Sequence, residues 1–313
     1  MNAPADRATA EEALRTVAIG PRVAGPRDAL RALAVYARED RAARPGPLDR
    51  LLWGVAQVVR AGRLVATDRV LRRAALVPTA LTFLACAVLA GAATWDAADG
   101  EVATSPATFQ AFLVAFVAVA SMPPTLLQRM WMRVAVESRR ALGLRGAEDP
   151  FAGEPFLRML WREGRKVLRQ AVLVSAGLFP LLLVVRLLPF GHEEAASVAA
   201  VWAFYWVVVD ALELPIEAVP GPPPAAPEPW FARLLGRAPT PLLWPLRLSG
   251  RLAGRLATPW REEASFTERH PWETAGFALA AGALLLVPVL GLFFRAVAIA
   301  AATALHGALD EGR

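Results

Sequence analysis

The sequence has few of the residues from which catalytic and metal sites are commonly built. It contains one cysteine, Cys86, and three histidines among 313 residues. A single cysteine excludes an intrachain disulfide and a cysteine metal cluster. The stretch His192-Glu193-Glu194 has no second histidine nearby, so it lacks the ligand spacing of a zinc site. The sequence also has no Ser/His/Asp grouping, P-loop or GxGxxG fingerprint. We therefore expect that the protein is not an enzyme, has no catalytic residue and binds neither a metal nor a cofactor.

Lysine is almost absent too, and arginine supplies the positive charge. Of 34 basic residues only Lys166 is a lysine, and the pI is near 10.7. A basic chain of this kind can bind nucleic acid. Here, however, the arginines flank apolar segments, where the positive-inside rule for membrane proteins accounts for them. We expect no nucleic-acid partner.

Apolar residues are abundant. They make up 56% of the chain, and the mean hydropathy is +0.39. Both values exceed ordinary globular usage and indicate an integral membrane protein in contact with the lipid bilayer. The polar N-terminus has no apolar core behind a basic start, so we expect no cleaved signal peptide.

Two segments have the length and composition of full membrane spans, namely Ala74–Thr94 and Phe109–Leu127. The loop between them, residues 96–107, is acidic, whereas arginines lie just before the first span and just after the second. The positive-inside rule then places the loop outside and the N-terminus in the cytoplasm. The C-terminus is expected to return to the cytoplasm.

Two further apolar segments are each interrupted at their centre. Val167–Val209 is broken at Pro189-Phe190-Gly191, and Ala275–Leu305 is broken at Pro288 and Gly291. Each segment is compatible with one kinked spanning helix or with two half-helices that enter and leave by the same face. The recurrence of the pattern favours two re-entrant hairpins, whose tips would enclose a polar site. The predicted fold is therefore an all-α integral membrane protein with two long spans and two half-spanning helical hairpins.

The remaining regions define the predicted domain organisation. Residues 1–50 read as a cytoplasmic extension and linker, and residues 51–313 as the membrane domain. Arg50–Arg73 is predicted as an interfacial helix leading to the first span. An insertion at residues 220–266 mixes Trp, Leu and Arg, which is typical of helices in the headgroup layer; a surface for a cytosolic partner is the alternative.

Several short motifs resemble those of the bacterial CysZ-type sulfate permeases, whose wider family includes the etoposide-induced proteins. The residues that carry the resemblance are Gly62-x9-Arg72-Arg73-x4-Pro78, Arg162-Glu163, Pro189-Phe190-Gly191, Asp210, Gly276-Phe277, Pro288 and Ala302-Thr303-Ala304-Leu305. The resemblance implies a multi-pass protein of the bacterial inner (plasma) membrane that forms a homo-oligomer and admits sulfate to the cytoplasm. It also implies that Arg72 and Arg73 bind the anion together with backbone amides near Val70 and Leu71.

Other charged residues near the interrupted segments are candidates on physical grounds. Arg186 and Arg295 lie close to the predicted tips and would either draw an anion into a vestibule or extend to the membrane interface. Asp210 and Glu213 would either couple transport to protons or form ion pairs. Arg162 and Glu163 read as a structural pair.

Together these features predict an anion transporter or channel for a small inorganic oxyanion, with sulfate implied by the resemblance. The alternative is a membrane scaffold without transport activity, whose basic interfacial segments dock lipid or protein partners.

Overall fold

The computed structural model describes residues 46–95, 127–186, 191–221, 225–237, 244–285 and 290–311, together with Leu33 and residues 110–112, 114 and 115. Within these ranges the chain is helical and contains no β-strand. The α-helices are α1 Pro47–Thr67, α2 Arg69–Trp95, α3 Gln128–Ala141, α4 Phe156–Arg186, α5 Gly191–Glu217, α6 Trp230–Gly236, α7 Trp244–Leu256, α8 Arg261–Arg269, α9 Pro271–Leu285 and α10 Leu290–His306. A 3-10 turn, Thr258–Trp260, precedes α8, and a π-helical turn, Gly307–Glu311, follows α10.

Four segments of the described residues are long and apolar enough to cross a membrane. They are Arg69–Ala92, Phe156–Leu183, Glu194–Glu217 and Gly291–Asp310. The prediction of an all-helical protein is confirmed, and its membrane character is supported by these four helices. The second predicted span, Phe109–Leu127, lies largely outside the described residues, as do loop 96–107 and most of residues 1–50.

The predicted helix Arg50–Arg73 is divided in the structure at Asp68. The Asp68 backbone N–H donates to the Leu64 carbonyl at the end of α1. Its side-chain Oδ1 accepts the backbone N–H groups of Val70 and Leu71, each at 2.8 Å. Asp68 is therefore both the end of α1 and the N-cap of α2, which begins at Arg69 rather than Ala74.

Helix α1 is a packed part of the protein core, and its position at the membrane interface stays a prediction. It crosses α9 with almost no space between the two backbones. A Cβ atom at Gly54 would overlap the Glu273 carbonyl oxygen, and one at Gly276 would overlap the Leu51 carbonyl oxygen. Only glycine at both positions allows this approach. Trp53, 2% exposed, joins the same core cluster as Phe277 of α9.

Helices α4 and α5 form the first helical pair and are longer than the apolar arms predicted for it. They have 31 and 27 residues, or about 46 and 40 Å at 1.5 Å per residue. A half-spanning arm would be shorter than the bilayer core of about 30 Å. The pair is held together by Trp202, whose Nε1 donates to the Val174 carbonyl at 2.8 Å and whose ring lies against Gly177. The half-spanning depth of this hairpin is not confirmed and stays a prediction.

Helices α9 and α10 form the second pair, which is shorter. Their described parts have 15 and 17 residues, or about 22 and 26 Å at 1.5 Å per residue. Gly291 lies so close to the end of α9 that a Cβ atom would overlap the Leu285 carbonyl oxygen. The end of α9 therefore lies against the start of α10, and the half-spanning depth of this pair stays a prediction.

The insertion at residues 220–266 folds onto the first pair through aromatic side chains. Phe231 of α6 meets Trp202 of α5 edge to face, with ring centroids 5.0 Å apart. Trp260 meets Trp206 in the same way at 6.0 Å. Buried edge-to-face pairs add about 0.5–1.5 kcal/mol each beyond their area burial. These contacts place the start of α8 beside the polar ends of α4 and α5.

Candidate functional site

A cavity of about 1000 Å³ lies where the N-terminal part of α4 meets the end of α5 and the start of α8. Its walls come from residues within 150–169, 216–221 and 258–263, together with Ala225 and Ala226. The six basic side chains in its lining are Arg158, Arg162, Arg165, Lys166, Arg169 and Arg261, and the four acidic ones are Glu154, Glu217, Glu262 and Glu263. The excess of basic groups makes the cavity electropositive when all ten side chains are charged.

Three arginines give the cavity its anion-binding potential. Arg158, Arg165 and Arg169 are spaced by seven and four residues on α4, so they share one helix face. All three are exposed, and none has a hydrogen bond or ion pair within the part of the chain that the structure describes. A guanidinium group offers five N–H donors in a planar fork, which suits the oxygens of a tetrahedral anion. The other basic side chains of the cavity are already engaged.

Lys166 is the centre of a buried ion cluster that joins α4 to α5. Its Nζ forms an ion pair with Glu213 and a second one with Glu217, the latter at 2.6 Å. The side chains of Lys166 and Glu213 are 13% and 9% exposed. The pairing leaves little of the lysine charge for a ligand and fixes the α4 face that carries the arginines.

Glu263 contributes a buried carboxylate to the cavity wall. Its residue exposure is 3%, and its Oε2 atom has no hydrogen-bond partner. No ion pair joins it to any residue the structure describes. Burial raises the pKa of Glu263 to about 8; Lys166 opposes this shift, whereas Glu213 and Glu217 reinforce it. Burial also raises the pKa of the neighbouring Glu262.

No protein-family model, curated protein or solved structure matches this chain. The resemblance to the sulfate permeases therefore stays a prediction.

The residues that the resemblance assigns to sulfate lie at the start of α2. Arg72 and Arg73 are exposed, and Arg72 Nη1 donates to the Ala66 carbonyl at 3.2 Å. The backbone N–H groups of Val70 and Leu71 already donate to Asp68, and Leu71 is fully buried. An anion that used these amides would have to displace the Asp68 carboxylate. None of these residues lines the cavity described above.

Arg186 and Arg295 have different surroundings. Arg186 ends α4 and is exposed. The Arg295 guanidinium lies over the ring of Trp131, 5.4 Å from its centroid, and Trp131 is fully buried. Arg295 therefore packs between α10 and α3. An anion vestibule formed by the two arginines stays a prediction.

The other charged candidates lie mainly in ion pairs. Glu213 is bound to Lys166, and Asp210 is exposed and 3.5 Å from the Gln170 amide nitrogen. Arg162 donates to Glu163 at 3.1 Å and pairs with Glu154 at 2.9 Å. The tip residues Pro189 and Pro288 lie outside the described residues, whereas Gly191 begins α5 and Gly291 is buried near the start of α10.

Sequence reasoning missed Glu263, Asp68 and the cavity itself. The run of arginines on α4 was interpreted only as the cytoplasmic flank of a span, although its spacing of four and seven residues would have shown that they share a face. Asp68 is followed by an apolar helical run, which is an N-cap signal. Glu263 has no comparable signal, because its burial depends on aromatic contacts between distant segments. No group of three potential metal ligands occurs in the part of the chain that the structure describes.

Proposed function

We propose that this protein binds a small inorganic oxyanion in the cavity between α4, α5 and α8 and transports it across the membrane. The observation that carries the proposal is the set of three arginines, Arg158, Arg165 and Arg169, which line the cavity without a carboxylate partner among the described residues. Hydrogen bonds to charged groups contribute about 1.5–3 kcal/mol each when solvent is partly excluded. Two or three such contacts are enough for micromolar to millimolar binding of an oxyanion.

The position of the cavity supports transport as well as binding. Its walls include the polar ends of two helices that are each long and apolar enough to span a membrane. An anion held there is concentrated beside the bilayer. By the predicted topology, this is the cytoplasmic face, where sulfate would be released if the resemblance to the sulfate permeases holds.

Binding and uptake of labelled sulfate and phosphate test this proposal directly. The double variant Arg165→Gln/Arg169→Gln should lose at least about tenfold in affinity, since two charge-assisted contacts are removed. The matched control is Arg251→Gln/Arg255→Gln, because these two arginines of α7 are also exposed and lie outside the cavity lining. Unchanged affinity in the α4 variant would contradict the cavity as the binding site.

The Arg72→Gln/Arg73→Gln variant tests the alternative binding site. It should keep its binding affinity if the cavity is the main site, and should lose it if the resemblance identifies the site correctly.

Uptake into proteoliposomes then separates binding from transport. Wild-type protein that binds an oxyanion but shows no uptake above empty vesicles would overturn the transport part of the proposal.

A membrane scaffold is the second candidate, favoured by the surface of α7. Trp244, Leu248 and Leu252 are spaced by four residues and are 62%, 47% and 50% exposed. Arginines flank this apolar stripe, and the chain between Trp230 and Trp260 contains no acidic residue. Such a helix suits a surface of anionic lipid. A scaffold that lacks transport activity should still show this lipid contact, whereas oxyanion binding by the cavity would be absent.

A further inference from the structure

The Glu263 carboxylate is an unusual component of an anion-binding cavity. It is 3% exposed, and the Oε2 atom is buried without a hydrogen-bond partner. The charged groups that act on it are Lys166 of α4 and Glu213 and Glu217 of α5, and its sequence neighbours Arg261 and Glu262 also line the cavity. Lys166 is already paired with both glutamates of α5, and Arg261 pairs with Glu228 at 3.4 Å, so neither cation forms an ion pair with Glu263.

A buried polar oxygen that lacks a partner costs free energy unless a ligand supplies the missing contact. An ionised carboxylate can only accept hydrogen bonds, whereas a protonated one can also donate. Two ionised acceptors that face each other repel. A ligand that touches Glu263 must therefore bring a hydrogen atom, or Glu263 must carry one.

We propose that Glu263 contacts the bound oxyanion through one shared proton, so that sulfate binds only when Glu263 is protonated, whereas hydrogen phosphate binds whether Glu263 is protonated or ionised. Sulfate has no proton to donate at neutral or alkaline pH. Hydrogen phosphate keeps one O–H group over the same range and can donate it to the ionised carboxylate. This inference rests on the proposed function, because it requires an oxyanion in the cavity, and it makes Glu263 the residue that distinguishes between two tetrahedral dianions of similar size.

The distinction should grow with pH. Because burial raises the pKa of Glu263 to about 8, the carboxyl group is protonated in most molecules at pH 7 and ionised in most molecules at pH 9. Sites that hydrogen-bond a ligand proton reject analogues without it, since a buried acceptor is then left unpaired. Sulfate affinity should thus fall above pH 8, while phosphate affinity should stay nearly constant.

The experiment measures sulfate and phosphate dissociation constants for the purified full-length protein between pH 7.5 and 9.5. Sulfate affinity should fall about twentyfold over this range, as follows from a single group with a pKa near 8. Phosphate affinity should change less than about threefold. Selenate and arsenate serve as a second pair, because selenate has no proton to donate and arsenate does. A parallel fall for all four anions, or no fall for any, would refute the shared proton.

The Glu263→Gln variant tests the residue. Its amide can donate at every pH, so sulfate binding should lose its pH dependence and should be stronger than in the wild type at pH 9.5. A gain of binding cannot arise from misfolding. Glu148→Gln is the matched control and should leave the sulfate profile unchanged, since Glu148 is exposed and lies outside the cavity lining.

The outcomes separate this inference from the proposed function. Oxyanion binding without any difference between sulfate and phosphate leaves the cavity as a site but removes the role of Glu263. Absence of binding for all four anions at every pH overturns both.

Discussion

The two helical pairs share an apolar pattern with a Pro/Gly interruption, yet they are held in different ways. In the second pair, 72% of the candidate membrane span in α10 is buried. In the first pair, the buried share of the candidate span is 24% for α4 and 33% for α5. The second pair is fixed by backbone contact with α1, and the first pair by ion pairs and aromatic rings. The same sequence pattern therefore builds a packed core in one half of the molecule and a more exposed pair with a cavity in the other.

This difference explains where the cavity is found. Close backbone contact between α1 and α9 leaves no space for a cavity. In the first pair, side chains rather than backbones make the contacts, and a cavity of about 1000 Å³ lies where the polar ends of α4 and α5 meet the start of α8. The candidate site consequently belongs to the less buried pair.

The largest effect is expected for removal of the central cation of the first pair. Lys166→Met should destabilise the protein by about 3–5 kcal/mol, because the buried Glu213 and the partly buried Glu217 would both lose their partner. The measurement is unfolding in detergent followed by tryptophan fluorescence. Lys166→Arg, which keeps the charge, should retain much of the stability. Equal loss in both variants would show that packing, not charge, holds the first pair.

A second prediction concerns the backbone contact in the other half. Gly276→Ala should destabilise the protein by about 2–3 kcal/mol, because the new Cβ atom pushes α9 away from α1. Gly282→Ala in the same helix is the control, since a Cβ atom there meets nothing within 4 Å. The control should be neutral or slightly stabilising. If both variants unfold at the same temperature, the close approach of α1 and α9 is wrong.

The pH dependence of stability provides a third comparison. The pKa of Glu263 is raised in the folded state, so folded protein binds more protons than unfolded protein between about pH 4.5 and 8. Its stabilising effect is complete below the unfolded-state pKa and is lost as the pH rises through 8. The free energy of unfolding should therefore fall with rising pH in this window, by at most about 1.4 kcal/mol per pH unit. In Glu263→Gln the contribution of residue 263 to this pH dependence should disappear. If the free energy of unfolding depends on pH as strongly as in the wild type, other groups cause the dependence.

The smallest effect is expected at the junction of α1 and α2. Asp68→Ala removes the N-cap of α2 and should cost about 1 kcal/mol. It also frees the Val70 and Leu71 amides. If these amides bind sulfate as the resemblance implies, affinity should rise in this variant; Asp68→Asn, which keeps a capping oxygen, should behave like the wild type. Unchanged affinity would favour the cavity.

Local pattern was enough to predict much of the fold. The apolar run Ala74–Thr94 lies within α2, whereas the interruptions at Pro189 and Pro288 lie outside the described residues. Helix lengths were predicted less well, because α4 extends back to Phe156 through a polar, arginine-rich stretch that does not look like a membrane segment. The site could not be predicted as a whole. Glu263 and the arginines of α4 are about a hundred residues apart in sequence, and they meet only because Phe231 and Trp260 dock the insertion on α5.

The glycine crossing of α1 and α9 has a consequence for how the molecule could change shape. With carbonyl oxygens pressed against glycine Cα atoms on both sides, neither helix can rotate or slide without a steric clash. This half is suited to act as a rigid frame. In the proposed transport, the movement would then fall to less buried helices such as α4 and α5, and tilting of α4 would carry the arginines with it.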